Sequence, residues 1–144
     1  MSTDGEHCCS VTLTVVGEDL DPEAVSKVLG MEPDRSWRRG DRKGLTRPDG
    51  TVKQFDSVYE DGGWKKFIPK QYQDKPLSDQ VYLWLFNLHD LRDAIMGLQE
   101  RGWVTELDCF TASTEVLVLF NDHLRQIADL GVGLGLTIGL VSEA

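Results

Sequence analysis

The side chains with the most distinctive chemistry lie in a basic segment headed by a tryptophan, Trp37-Arg38-Arg39-Gly40-Asp41-Arg42-Lys43. A second segment, Gly63-Trp64-Lys65-Lys66, again combines an aromatic ring with positive charge. Tryptophan and arginine are the residues most often found at the energetic centres of protein interfaces, and the guanidinium fork suits carboxylate and phosphate groups. The two segments therefore predict a recognition surface formed by Trp37, Arg38, Arg39, Asp41, Trp64, Lys65 and Lys66.

The Trp37 segment also has a purely structural interpretation. Trp37 could close the edge of the core, and Asp41 could pair with a neighbouring arginine. Gly40 could adopt a positive φ, which glycine reaches without a steric cost. Both interpretations can hold at once, because a residue that fixes a loop can also present its neighbours to a partner.

Cysteine and histidine residues offer little for metal or nucleophilic chemistry. The three cysteines, Cys8, Cys9 and Cys109, show none of the spacings typical of zinc sites, even when His7 is added. Cys9 and Cys109 fall at apolar positions of predicted strands, where cysteine behaves as a small hydrophobic residue. The sequence predicts no metal site, no cofactor and no disulfide framework.

Two pairs of titratable side chains are of the type used in general acid–base catalysis, His89 with Asp90 and Glu106 with Asp108. We expect both pairs to be exposed, because His89 falls at a predicted helix kink and the two acids fall on the solvent side of a predicted strand. Neither pair has an evident partner nucleophile in the sequence. An enzymatic activity is left open, and a non-catalytic role is favoured.

The charge of the chain is divided unevenly. The net charge is −9, yet residues 35–75 hold eleven of the fifteen Lys and Arg and six of the twenty-four Asp and Glu, which makes this basic insert +5. The insert also holds half of the twelve aromatic residues, whereas the remaining acidic frame carries −14. A frame of that charge repels nucleic acid and anionic lipid, so nucleic-acid binding is a less favoured hypothesis.

The N-terminal segment and the apolar runs bear on localisation. The first six residues lack the basic and apolar stretches of a secretory signal, and no apolar run approaches the length of a membrane span. We therefore expect a cytoplasmic protein with no membrane partner. The 144 residues fit a single domain, 1–144, with a disordered tail at about residues 1–7.

The elements that position these side chains begin with a strand over residues 10–16, in which every second residue is apolar. Asp21 and Gly30 delimit the first helix as its N-cap and its left-handed C-cap. The next predicted elements are a loop over 31–50, a hairpin of strands 51–59 and 64–68 with its turn at 60–63, and a helix from the cap Ser78 to about Gln99 that kinks near 87–89. The last ones are a strand over 103–110, a central strand over 116–120, a helix over 121–131 and a strand over 134–140.

This order of elements predicts an α+β domain with a mostly antiparallel sheet and helices packed on one face. The most economical topology for it is ferredoxin-like, or a doubled variant of that fold. No internal repeat of the sequence is evident.

The progression of residues resembles that of a known family. The resemblance lies in residues 11–17, 20–23, 29–33, 37–41, 63–64 and 127–131, and its most specific part is the run from Leu29-Gly30 through Pro33 to Trp37-Arg38-Arg39-Gly40-Asp41. This order resembles the bacterial family described as domain of unknown function 4279, over most of the chain. The resemblance implies no reaction, cofactor or catalytic residue. Some similar small domains are associated with bacterial toxin–immunity loci, which implies an immunity-like role as a hypothesis.

Three functional hypotheses remain open. The leading one is a non-catalytic protein-interaction module, in which the acidic frame contacts a basic partner or the basic insert contacts an acidic one. The alternative is a small-ligand-binding protein or an enzyme, with a pocket between the sheet and the Trp37 segment. The third is nucleic-acid binding through the insert. A homodimer is compatible with each of them, because a sheet of this kind has edge strands that can pair.

Overall fold

The computed structural model describes residues 9–47, 49–112 and 117–139, and the expected tail at about residues 1–7 lies outside these ranges. The strands are β1 (Cys9–Gly17), β2 (Arg35–Trp37), β3 (Arg42–Thr46), β4 (Val52–Val58), β5 (Gly62–Phe67), β6 (Val104–Thr111) and β7 (Gly133–Ile138). The helices are α1 (Pro22–Leu29), α2 (Leu77–Leu88), α3 (Arg92–Glu100) and α4 (Asn121–Leu130).

The strands form two sheets. Five of them make one sheet in the order β2-β5-β1-β6-β7, and β3 pairs with β4 in a separate two-stranded sheet. All neighbours in the larger sheet are antiparallel except β6 and β7, so the mostly antiparallel α+β class is confirmed. With α1 after β1 and the helices α2 and α3 before β6, the strands β1, β2, β5 and β6 follow the βαββαβ order of a ferredoxin-like fold. The helix α4 and the strand β7 extend it at one edge.

The core lies between the helices and one face of the sheet. Val11, Leu13 and Val15 of β1 are fully buried there, as their alternation predicts. Both predicted caps of α1 are confirmed: the Asp21 carboxylate accepts a backbone N–H of the first turn at 3.1 Å, and Gly30 ends the helix with φ 70°. The predicted kink is also confirmed, because a short 3₁₀ helix separates α2 from α3. No helix in the described ranges is both long and apolar enough to cross a membrane.

Helix α2 supplies hydrogen-bond partners for the start of β1. Since β5 pairs with β1 only from Thr12 onwards, the preceding backbone of β1 has no strand on that side. The Gln80 side chain takes this place, because its Oε1 accepts the Val11 N–H at 2.9 Å and its Nε2 donates to the Cys9 carbonyl at 3.4 Å. The Trp84 indole N–H donates to the Val11 carbonyl at 2.9 Å. These bonds anchor α2 to the centre of the sheet.

The hairpin predicted from strands 51–59 and 64–68 is wrong. β4 pairs with β3, and β5 pairs with β1 and β2. The loop predicted over 31–50 contains β2 and β3, two short strands whose sequences show no apolar alternation. Gly62 and Gly63, which resemble turn residues, lie in β5, where a Cβ would collide with the Leu20 carbonyl or with the Trp37 ring.

Two smaller predictions also differ from the structure. Residues 117–120, the described part of the predicted central strand, form no strand, and their apolar pattern reflects the packing of Leu117 and Leu119 against the core. Ser78 is not the N-cap of α2, because the helix already begins at Leu77, directly after an extended proline. The last residue of the predicted final strand, Leu140, lies outside the described residues.

Candidate functional site

The Trp37 segment is the bend at which a long hairpin leaves the main sheet. β2 and β5 pair within that sheet, and β3 and β4 continue the same hairpin beyond it. Between the two parts, Tyr59 exchanges backbone hydrogen bonds with Gly40 and Asp41, at 2.9 Å each. Gly40 has a φ of 90°, and the Asp41 carboxylate accepts the Arg38 N–H at 2.8 Å, which closes the turn. Gly40 therefore has the positive φ that the structural interpretation predicts, whereas the Asp41 carboxylate binds the backbone of Arg38 and not, as predicted, an arginine side chain.

Two arginines connect this bend to the loop between β1 and α1. Arg38 Nη2 lies 2.9 Å from Asp21 Oδ1, and Arg39 Nη1 lies 3.0 Å from Glu18 Oε1. All four side chains remain substantially exposed, so these ion pairs orient the bend more than they stabilise the fold. Both guanidinium groups assigned to a recognition surface thus already have partners within the chain.

Trp37 is half-buried in an aromatic stack. The centroids of the Trp37 and Tyr59 rings are 4.7 Å apart, with an angle of 18° between their planes. Gly63 lies across from Trp37 in the register of β2 and β5 and leaves room for the indole. The Lys65 ammonium lies 5.7 Å from the Trp37 ring centroid, within range of a cation–π interaction. We call Trp37, Tyr59 and Lys65 the Trp37 platform.

Alternation along β5 divides the second predicted segment between the two faces of the sheet. Lys65 lies on the face of Trp37, whereas Trp64 is fully buried on the opposite face and donates its indole N–H to Ser26 Oγ at 3.0 Å. Lys66 pairs in register with Leu13 and is half-buried on the side of Trp64. Trp64 therefore belongs to the core, and the seven predicted residues do not form one surface.

Beyond the bend, β3 and β4 form an exposed basic arm, residues 42–58. All seven residues of β4 are exposed, among them the apolar Val52 at 60% and Val58 at 47%. The arm carries four cationic residues, Arg42, Lys43, Arg47 and Lys53. The ammonium groups of Lys43 and Lys53 lie 5.4 Å and 5.8 Å from the centroids of the Tyr59 and Phe55 rings. Cations and apolar side chains thus occur together on the exposed strand β4 and beside it.

The tip of the arm is held by a side-chain turn. Asp49 Oδ1 accepts hydrogen bonds from the backbone N–H and the hydroxyl of Thr51, at 2.9 Å and 2.7 Å. These bonds hold the pKa of Asp49 below its usual value, and the hydrogen bond from the Thr51 hydroxyl has the largest effect. Gly50 adopts a φ of 92° beside it. The arm therefore has a defined end although it is exposed.

The face of the sheet away from the helices carries a polar row that crosses four strands. Arg35 pairs in register with Lys65, Lys65 with Thr14, and Thr14 with Glu106. Paired residues of adjacent strands lie on the same face, and so does Asp108, two residues after Glu106. The alternation of β6 does place the two acids on one face. The position of Glu106 opposite Thr14, and of Asp108 opposite Thr12, depends on strand register, for which the sequence has no local signal.

The raised pKa of Glu106 makes the stability of the domain depend on pH, and this dependence tests the contacts within the polar row. The pKa of Glu106 is raised above its ordinary value of 4.5, first by a hydrogen bond with the Asp108 carboxyl, then by partial burial and by the charge of Asp108. Because the folded protein then binds this proton more tightly than the unfolded chain, the contribution to stability is complete below about pH 4.5 and is lost as the pH rises through the folded pKa. Within the described residues, the two strands next to β6 carry no charged side chain on this face; Lys65 lies two strands away on β5, and Arg35 lies three strands away on β2.

We expect Glu106→Gln, which cannot ionise, to gain stability relative to the wild type as the pH rises from about 4 to about 7. Urea unfolding of both proteins across that range measures the difference. Glu100→Gln, at an exposed position of α3, is the matched control. The assignment fails if the wild type and Glu106→Gln keep a constant difference at every pH.

One cavity adjoins the Trp37 platform. It measures about 230 Å³ and is lined by Val16, Trp37, Lys43, Tyr59, Glu60, Asp61 and Gly62. This volume lies below the range of about 300–1,000 Å³ that is typical of ligand pockets. Of the residues predicted for the pocket of the small-ligand hypothesis, Trp37 lines this cavity, whereas Arg38, Arg39 and Trp64 do not.

The other candidate groups have little catalytic potential. Burial raises the pKa of the Cys109 thiol to about 11, so a thiolate nucleophile is disfavoured. His89 and Asp90 are both exposed, with 4.0 Å between the ring nitrogen and the carboxylate oxygen. Within the described ranges, no three His, Cys, Asp or Glu side chains are grouped closely enough to hold a metal ion.

The strand order and the bent hairpin define the class of protein: an α+β domain of ferredoxin-like topology that carries a projecting basic arm. The chain belongs to the family described as Domain of unknown function (DUF4279), whose model matches residues 7–140, nearly the whole chain. The resemblance found in the sequence is thus confirmed. Neither the curated proteins nor the solved structures contain a significant match to the chain.

Proposed function

We propose that this domain is a non-catalytic protein-interaction module that binds an acidic surface of a partner protein with its basic arm. The observation that carries the proposal is that every residue of β4 is exposed, including the apolar Val52, Phe55 and Val58. A two-stranded ribbon is marginally stable by itself, and apolar side chains exposed on it are stabilised when a partner covers them. The arm therefore has the properties expected of a surface that a partner protein covers.

Charge complementarity supports an acidic partner. The arm holds four cationic residues against two acids, Asp49 and Asp56, within a chain of net charge −9. Arg42 is engaged inside the arm, where it contacts the Phe55 carbonyl at 3.1 Å and Asp56 at 3.3 Å. The remaining cations can contact a partner. The acidic frame would repel the same acidic partner from the rest of the domain, which favours binding in a single orientation.

The bend supports the proposal because it gives the arm a direction. The Trp37–Tyr59 stack and the hydrogen bonds at Gly40 and Asp41 join the arm to the sheet. A pre-oriented arm loses less conformational entropy on binding than a flexible loop of the same length. An immunity-like role, with a toxin as the partner, is one form of this proposal, and it rests on the family resemblance.

The arm is tested by a charge reversal at its surface. The wild-type protein and the variant Lys43→Glu/Lys53→Glu are used as baits in extracts of the source organism, and the bound proteins are quantified by mass spectrometry. We expect an acidic partner that the wild type retains and that the arm variant loses at least about tenfold, because attraction becomes repulsion. Circular dichroism shows whether the variant remains folded.

The matched control is Lys27→Glu/Lys70→Glu, which makes the same change of charge at exposed positions outside the arm. This control should retain the partner. The proposal fails if the arm variant and the control retain the same proteins equally well. If the arm variant instead loses only a single-stranded oligonucleotide that the wild type binds, the nucleic-acid hypothesis replaces it.

A further inference from the structure

A buried hydroxyl without a partner lies in the polar row of the sheet. Thr14 is 5% exposed, and its Oγ1 makes no hydrogen bond within the described part of the chain. Its Cα pairs with Lys65 on one side and with Glu106 on the other, so the hydroxyl lies on the face away from the helices. A buried hydroxyl without a hydrogen bond is unfavourable, and an incoming polar group between these neighbours would relieve that cost.

The two carboxyl groups of this row, Glu106 opposite Thr14 and Asp108 opposite Thr12, have no cationic partner among the described residues. None of the ion pairs formed by the described residues includes Glu106 or Asp108. Lys65 does not neutralise them, because its ammonium is directed towards β2, at 5.7 Å from the Trp37 ring centroid. The hydrogen bond with the Asp108 carboxyl raises the pKa of Glu106. A cation bound between the two carboxyl groups would favour the charged form of both.

Strand β7 leaves space for this pair. Gly133 and Gly135 are the register partners of Glu106 and Asp108. A Cβ at Gly133 would lie 3.2 Å from Glu106 Cγ, and a Cβ at Gly135 would lie 2.8 Å from Asp108 Oδ1. Any larger residue at these two positions would press on the carboxyl groups, so the glycines keep them accessible from the edge of the sheet.

We propose that Glu106, Asp108 and Thr14 form a binding site for the primary ammonium group of an alkylamine, such as a lysine side chain. An ammonium has three N–H donors, and the site offers three acceptor groups, two carboxylates and one hydroxyl. A divalent metal ion fits less well, because it prefers about six oxygen ligands. Phe67 and Phe110, at 40% and 41% exposure on the same face, would contact the alkyl chain.

The test is an NMR titration that follows the side-chain carboxyl carbons of Glu106 and Asp108. The probes are n-butylammonium, which presents the group alone, and N-acetyl-lysine methylamide, which presents it as a protein would. N-acetyl-trimethyllysine methylamide is the control ligand, because it keeps the charge and has no N–H on its cationic nitrogen. We expect saturable shifts with the lysine derivative and none with the trimethylated one. A response to butylammonium as well assigns the recognition to the ammonium alone, which supports the same site.

The variants separate the site from general electrostatics. Thr14→Val should weaken binding of the lysine derivative about tenfold, the factor expected for one hydrogen bond to a charged group. Thr105→Val is the matched control, because it removes a second buried hydroxyl that has no hydrogen-bond partner among the described residues, from the opposite face of the sheet. Asp108→Asn should remove binding. Equal shifts with the trimethylated probe, or equal affinity of the two threonine variants, would overturn the proposal while leaving the proposed role of the arm untouched.

Discussion

Gln80→Leu is expected to lower the free energy of unfolding by about 4 kcal/mol, the largest effect of any polar substitution that we predict. Gln80 is fully buried, accepts the Val11 N–H at 2.9 Å and donates to the Lys75 carbonyl at 3.0 Å as well as to Cys9. Leucine has a similar volume, so little packing is lost. The cost comes from backbone groups that lose a partner in the interior, at about 1–3 kcal/mol each.

The unfolding free energy is measured by urea denaturation. Gln126→Leu, on the exposed surface of α4, makes the same chemical change and is expected to stay within about 0.5 kcal/mol of the wild type. A loss of less than about 1 kcal/mol for Gln80→Leu would show that water or a backbone shift replaces the side chain. In that case α2 would not be anchored to β1 by this residue.

Trp64→Ala should destabilise the domain by about 4 kcal/mol, since it empties a fully buried position of the largest side chain. The substitution also removes the hydrogen bond from the indole to Ser26 Oγ, whose distance is 3.0 Å. Trp37→Ala is the natural comparison, because Trp37 is half-buried at the edge of the sheet, where it stacks on Tyr59 and lies against Gly63. We expect that variant to lose about 1–2 kcal/mol and to remain folded at room temperature.

Thermal and urea unfolding of the two variants distinguish the roles of the two tryptophans. Trp64→Phe provides an intermediate case that keeps an aromatic ring and loses the hydrogen bond. If Trp37→Ala unfolds the domain while Trp64→Ala leaves it intact, the assignment of Trp64 on β5 to the core and of Trp37 on β2 to the edge of the sheet is reversed. Such a result would also exclude Trp37 as a residue that can be altered without loss of the fold.

The sequence predicts those features that depend on neighbouring residues. Asp21 and Gly30 bound α1 because capping is local, and the buried face of β1 follows from the alternation of Val11, Leu13 and Val15. The resemblance to the family rests on the same kind of local pattern. These features were accessible without any knowledge of how the strands pair.

The features that depend on pairing were not accessible in this way. Trp37 and Trp64 lie in similar basic segments, and only the pairing of β5 with β2 and β1 leaves Trp37 half-buried on one face of the sheet and places Trp64 in the core on the other. Gly62 and Gly63 resemble a turn, yet they are needed because other residues approach β5 closely. The polar row at Thr14 and Glu106 likewise arises from residues that are distant in the sequence and meet only through the sheet.

The bend at Trp37 has a consequence for how the arm responds to its surroundings. The direction of the arm depends on the bend, which is oriented by the ion pairs Arg38–Asp21 and Arg39–Glu18. Both pairs are exposed to solvent. Added salt screens such pairs, whereas it hardly affects the buried core. A rise in ionic strength would therefore change the orientation of the arm before it affects the fold. The affinity for a partner that requires one orientation of the arm would then depend on salt both through this orientation and through charge screening.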